Sequence, residues 1–264
     1  MPYVKENKVK RALKRGETVI GTMVAEMRNP SIAQILSLAG FDFFFIDMEH
    51  GMFNMETVAD IIHAARLAGI APFLRVPNLE YHLIARPLDA GAQGLMVPRV
   101  DTPDDVRKMV SYMKYPPMGE RGCALTRGHT DYKAEKVADY IQWANDENLV
   151  IVQIESQMAI DQIEEMVSVP GVDVALIGPN DLSISLGIPG QQTDPKEIAA
   201  IDKMVAACAK HGVASGIHLP NVDQLKGWMA KGMRFITYST DLNFLMSGKT
   251  GLDALRAAAA EMKK

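Results

Sequence analysis

The chain has 264 residues, 48% of them hydrophobic and 23% charged, which allows one large domain or two small ones. A net charge of −4 argues against a general binder of nucleic acid or of anionic membranes. Only Cys123 and Cys208 are cysteines, without metal-finger or redox spacing, and no run approaches the ~20 apolar residues that a bilayer requires, so a soluble cytoplasmic protein with reduced thiols is expected.

Lys5 to Arg15 mixes basic residues with Glu6 and apolar positions, which predicts an amphipathic helix rather than a charged tail. Six times thereafter a helical pattern ends in glycine and an apolar run starts almost at once. The sites are Gly40, Gly69, Gly91, Gly171, Gly212 and Gly232. Glycine just past a helix takes the left-handed conformation that ends it at little cost. Strands are predicted near 18–23, 41–47, 71–76, 94–98, 149–155, 172–178, 213–218 and 234–240. Between them, Thr102-Pro103-Asp104-Asp105 supplies an N-cap, a proline at the first helical position and a capping-box acid, and Asp194 and Asn221 read as further N-caps. Pro87, inside Glu80–Ala90, is expected to kink that helix or delay its start. The long segment Tyr115 to Tyr140, with Pro116-Pro117 and a turn at Gly119–Gly122, is read as an active-site excursion.

Eight strands alternating with helices fit a single-domain (β/α)8 TIM barrel over residues 1–264, close to the roughly 250 residues typical of that fold. An open doubly wound sheet fits less well, because Val19 to Met23 leads into Val24-Ala25-Glu26-Met27 and not into a glycine-rich nucleotide loop.

In such barrels chemistry gathers where the strands end. Glu155 closes the fifth apolar run and Asp181 follows the sixth by three residues. Each alone could cap a helix. Together, on strands whose ends lie roughly 5 Å apart, they suit Mg²⁺ or Mn²⁺, which favour oxygen ligands. His50 is the acid–base candidate, with Asp47 placed to orient it; a histidine packed after a strand is the plainer alternative. Arg75, in an otherwise apolar strand, either salt-bridges Asp47 or Glu49 or binds a substrate oxyanion, and the two roles are compatible. Gln153, the Gly178-Pro179-Asn180 turn, His218 and Thr240-Asp241 complete the polar rim. No lysine occurs in the strand cores and neither cysteine ends a strand, so Schiff-base and thiol chemistry lack a nucleophile.

At these residues the chain resembles the HpcH/HpaI aldolase family, metal-dependent class II enzymes of the phosphoenolpyruvate/pyruvate barrel superfamily. The resemblance rests on Phe41 to Gly51, Leu74-Arg75-Val76-Pro77, Leu88 to Pro98, Tyr115 to Gly122, Val152-Gln153-Ile154-Glu155 and Ile177 to Ser183, in family order along nearly the whole chain. It implies that Glu155 and Asp181 bind Mg²⁺, Mn²⁺ or Co²⁺, that pyruvate chelates this ion, and that Arg75 faces the keto oxygen. It further implies acid–base work by His50 with Asp47 through water, Gln153 beside the metal, and backbone amides around Asn180-Asp181 on the pyruvate carboxylate. Asp89 matches a family aspartate near the active site at a subunit boundary. A hexamer is implied too, a trimer of dimers whose last helix, here about Leu252 to Met262, packs on a neighbouring subunit. Met23 and His218 depart from the family's usual aromatic and apolar residues there; His218 either bonds a hydroxyl or carboxylate of the distal substrate or packs on the rim.

The expected activity is reversible cleavage of a 4-hydroxy-2-oxo acid, of the 2-dehydro-3-deoxy sugar acid or 4-hydroxy-2-oxoheptanedioate type, to pyruvate and an aldehyde through a metal-stabilised enolate. The competing readings are a lyase of malyl- or citramalyl-CoA type on the same barrel, and a non-catalytic barrel that binds sugar acids.

Overall fold

The computed structural model describes residues 5–133 and 136–262. All eight predicted strands form: β1 (Val19–Val24), β2 (Phe43–Asp47), β3 (Ala71–Arg75), β4 (Gly94–Val97), β5 (Leu149–Ile154), β6 (Val174–Ile177), β7 (Ala214–Leu219) and β8 (Phe235–Thr240). Each pairs in parallel with the next and β8 with β1, closing a barrel, and helices surround it. No described helix is long and apolar enough to cross a membrane.

Period-two alternation divides the core in two. Outward residues such as Phe44, Ile46, Leu74, Val152 and Ile177 pack under the helices. Inward residues Val19, Phe43, Phe45, Phe73, Ile151 and Phe235 fill the barrel, where the Phe43 and Phe235 rings stack 4.4 Å apart. Gly21 on β1 is required by this packing, since a Cβ there would lie 2.3 Å from the Phe43 ring. The predicted N-terminal helix forms over Lys8–Lys14 and plugs the lower end with Val9, Ala12 and Leu13.

The same parity continued upward turns the inward row polar: Phe43 and Phe45 lead to Asp47, Phe73 to Arg75, Leu149 and Ile151 to Gln153. The upper end of the barrel is therefore where charge collects.

Local signals behave as their chemistry dictates. All six helix-ending glycines are left-handed, with φ from 69° to 112°. Thr102 and Asp105 form the reciprocal capping box, and Asp194 and Asn221 cap their helices. Strands β2 and β6 begin two residues later than predicted, because the Asp42 and Asp173 carboxylates instead accept the N–H groups of Ile20 and Val150, at 2.8 and 2.9 Å.

Two expectations need correction. Pro87 does not delay the start of its helix, which runs over Tyr81–Ala90 with the proline buried inside it. The described residues of the Tyr115–Tyr140 segment do not line the opening over the strand ends. They brace the barrel's flank, with Tyr115, Tyr140 and Ala144 in a small core of their own and the Arg121 guanidinium 4.7 Å above the Tyr115 ring.

Candidate active site

A cavity of about 410 Å³ opens over the upper end of the barrel, lined by Asp47, His50, Arg75, Gln153, Gly178 to Asp181 and His218 among others. The resemblance and the strand ends selected these residues separately along the chain, and the barrel brings them together.

The parallel register sets Asp47 level with Arg75. The guanidinium forks onto the carboxylate, Nε to Oδ1 at 2.8 Å and Nη2 to Oδ2 at 2.6 Å, while Nη1 lies 3.3 Å from Glu49. Arg75 thus salt-bridges both acids. Burial alone would raise the Asp47 pKa, but the Arg75 hydrogen bonds and charge, with the N–H groups of Glu49 and His50, hold it below the usual carboxylate range.

Asp47 orients His50 through the backbone rather than through the ring. Its Oδ1 accepts from the N–H groups of Glu49 and His50 at 3.1 and 3.4 Å, whereas the His50 side chain is 63% exposed, with Nε2 3.9 Å from Glu49. The imidazole is left open to the cavity and to water.

Across the barrel, β5 and β6 pair Ile154 with Ile177, which puts Glu155 beside Gly178. Glu155 is buried; its Oε1 accepts the Arg99 N–H at 2.7 Å and its Oε2 accepts the Gln153 amide. Burial raises its pKa against those two hydrogen bonds, and the charges of Glu49 and Asp181 push it further up. Asp181 follows Gly178 by three residues, on the same rim as Glu155. Gly178 admits the arrangement, because a Cβ there would come within 3.0 Å of the Glu155 carboxylate. Asp181 sits in the first turn of the helix Pro179–Ser185, where backbone N–H groups have no helical partner.

This rim fits a divalent cation. Clustered carboxylates, one of them buried and reluctant to ionise, call for positive charge, and the buried Oε1 of Gln153 has no partner among the described residues. No group of three or more His, Cys, Asp and Glu side chains that could hold a metal occurs among those residues. What the rim offers is two carboxylates, an open set of the kind Mg²⁺ accepts when substrate and water complete the shell.

Asp89 does not line this cavity. It lies on the helix Tyr81–Ala90, bonded to Arg121 at 2.6 Å. Conversely, sequence reasoning missed several groups. The Arg99 N–H and the bridging of Arg75 and Arg99 by Glu49 leave no signal in the sequence, nor does the approach of Gln192 to Asn180. Asp241 was placed on the polar rim, but not its role: its buried carboxylate accepts three N–H groups of the β1 loop, from Ala25, Glu26 and Met27.

Comparison with known proteins bears on the family and the fold. Residues 22–247 match the HpcH/HpaI aldolase/citrate lyase family. The chain belongs to this family. Among its relatives, the 5-keto-4-deoxy-D-glucarate aldolase of Klebsiella pneumoniae is 34% identical over 91% of this chain and 93% of its own. A 4-hydroxy-2-oxo-heptane-1,7-dioate aldolase of Escherichia coli is 34% identical over 98% of both chains. The crystal structure of an HpcH/HpaI aldolase from Desulfitobacterium hafniense superposes with a TM-score of 0.91 at 32% identity, covering 94% of this chain and 96% of that one.

Proposed function

We propose that the protein is a divalent-metal-dependent pyruvate aldolase of the cytoplasm, cleaving a 4-hydroxy-2-oxo acid to pyruvate and an aldehyde. The observation that carries this reading is the convergence of Asp181, Arg75 and His50 on one cavity that no described lysine or cysteine lines, with Glu155 beside its Gly178 wall. Glu155 and Asp181 would hold Mg²⁺, Mn²⁺ or Co²⁺, with Gln153 beside them. When bound, the ion supplies positive charge to the substrate's 2-oxo group.

Arg75 adds a second positive charge facing that oxygen, fixed in place by Asp47 before the reaction begins, so little reorganisation is needed. The amides of Asn180 and Asp181 bind the pyruvate carboxylate at the helix start. His50, exposed and next to water, takes the 4-hydroxyl proton as the C3–C4 bond breaks, and its electron pair moves into the enolate of pyruvate. In a coupled pyruvate-release assay EDTA is expected to lower the rate by at least about 100-fold, with recovery on adding Mn²⁺ or Mg²⁺. Borohydride with pyruvate should leave no adduct; a trapped lysine would replace this scheme with Schiff-base chemistry.

The resemblance also supports a hexamer with an exchanged last helix and Asp89 at a subunit boundary. The helix Lys249–Glu261 buries no residue in the single chain, and it presents Leu252, Leu255 and Met262, the last just beyond its end. An apolar groove lies between the helices Ser31–Leu38 and Asp241–Met246, walled by Ile32, Ile35, Leu36, Phe41, Phe244 and Leu245. Truncation after Gly248 is expected to give a folded, smaller species in light scattering coupled to gel filtration; an unchanged assembly would remove the exchange.

A further inference from the structure

The cavity has two halves. One holds the acids, Arg75 and the 178–181 turn; the other, beyond the reacting carbons, is walled by Met23, His218, Leu219, Pro220, Thr240 and Asn243 from the β7, β8 and β1 side. On the aldolase reading, on which this inference rests, the second half receives the aldehyde-derived tail.

His218 is the unexplained group there. It lines the cavity, yet its Nδ1 is buried with no hydrogen-bond partner among the described residues. A ring kept only for packing would leave that nitrogen unsatisfied at a cost that leucine would avoid. Burial, and then the nearby Arg75 charge, push its pKa down to about 4, so the imidazole is neutral in a neutral solution. A neutral imidazole carries one donor and one acceptor, which is the pattern of a hydroxyl group.

The charge balance points the same way. Arg75 is the guanidinium among the described lining residues, and its fork is already engaged by Asp47 and by Glu49. Nothing in the tail half offers a free cation, while Asp47 and Asp181 face the cavity from below. A second carboxylate on the substrate would enter this half without a cationic partner from the chain. Both relatives described above are named for diacid substrates, so a preference for a monoacid would set this chain apart from them.

We infer that His218 is a specificity-determining residue that hydrogen-bonds a tail hydroxyl, and that the preferred substrate is a hydroxylated 4-hydroxy-2-oxo monoacid rather than a diacid. The test runs the full-length protein with Mn²⁺ in the aldol direction, from pyruvate and three aldehydes. Lactaldehyde and propanal differ by one hydroxyl; succinic semialdehyde carries the carboxylate. The kcat/KM for lactaldehyde is expected to exceed that for each of the others by roughly tenfold. In His218→Leu the lactaldehyde/propanal ratio should fall by about that factor, with part of it restored in His218→Asn. Succinic semialdehyde as the best acceptor, or an unchanged ratio in His218→Leu, would overturn the inference. Should the leucine variant not fold, the wild-type ranking decides alone. Deuterium exchange at C3 of pyruvate in the wild type separates the two levels: without exchange the aldolase reading fails, and with exchange but the wrong ranking only the His218 inference fails.

Discussion

Glu155→Gln is expected to lower pyruvate release by at least about 1,000-fold while leaving the barrel folded. The amide keeps the shape and can still accept the Arg99 N–H, but it removes one of the two anionic charges offered to the cation. Stability should move in the opposite direction. Burial raises the Glu155 pKa, Gln153 and the Arg99 N–H oppose the shift, and the charges of Glu49 and Asp181 reinforce it. A carboxyl whose folded pKa lies above its unfolded one adds stability at low pH and loses it as pH rises through the folded value. Once ionised, Glu155 therefore destabilises the fold in EDTA, and glutamine relieves this. The Tm in EDTA at pH 8 should not fall in the variant. Added Mn²⁺ should raise the Tm of the wild type and not that of Glu155→Gln, because only a ligand that binds the native state stabilises it. A variant that keeps both its rate and its Mn²⁺-dependent Tm rise would remove Glu155 from the ligand set.

What could be read from the sequence follows from how local the physics is. Helix ends at Gly40 and Gly69, the Thr102 capping box and the inward parity running from Phe73 to Arg75 depend on neighbours a few residues away, and all are present in the fold. Strand boundaries at Asp42 and Asp173 were less legible, since there the side-chain carboxylates accept N–H groups of neighbouring strands that lie far away in sequence. Tyr115 to Tyr140 was misplaced for a similar reason. Length alone suggested a loop over the site, but Arg121, bonded to Asp89 and stacked on Tyr115, ties it to the flank. At the site itself, residue types revealed Asp47, Arg75, Glu155 and Asp181. They did not reveal that Asp47 acts on His50 through its amide, a matter of three-dimensional reach.

Arg75→Ala should damage rate and stability together, because it removes both the charge facing the keto oxygen and the partner of a buried acid. Asp47 is only 2% exposed, and breaking such a pair typically costs about 3–5 kcal/mol. For a chain of this size that corresponds to a Tm fall on the order of 10 °C, and the rate should drop by roughly 100- to 1,000-fold. The pH dependence identifies the cause. With Arg75 present the Asp47 pKa is depressed despite its burial, so the pair contributes stability above the unfolded carboxyl pKa and loses it as pH falls through the folded one. Without Arg75 burial dominates and the sign reverses: Asp47 is tolerated when protonated and penalised when ionised. The Tm gap between wild type and variant should therefore widen from acid to neutral pH. Arg75→Lys keeps the charge but not the two-pronged grip, so it should regain most of the Tm and little of the rate. A gap that stays constant between pH 4 and pH 7 would mean that Asp47 is not the group whose charge Arg75 compensates.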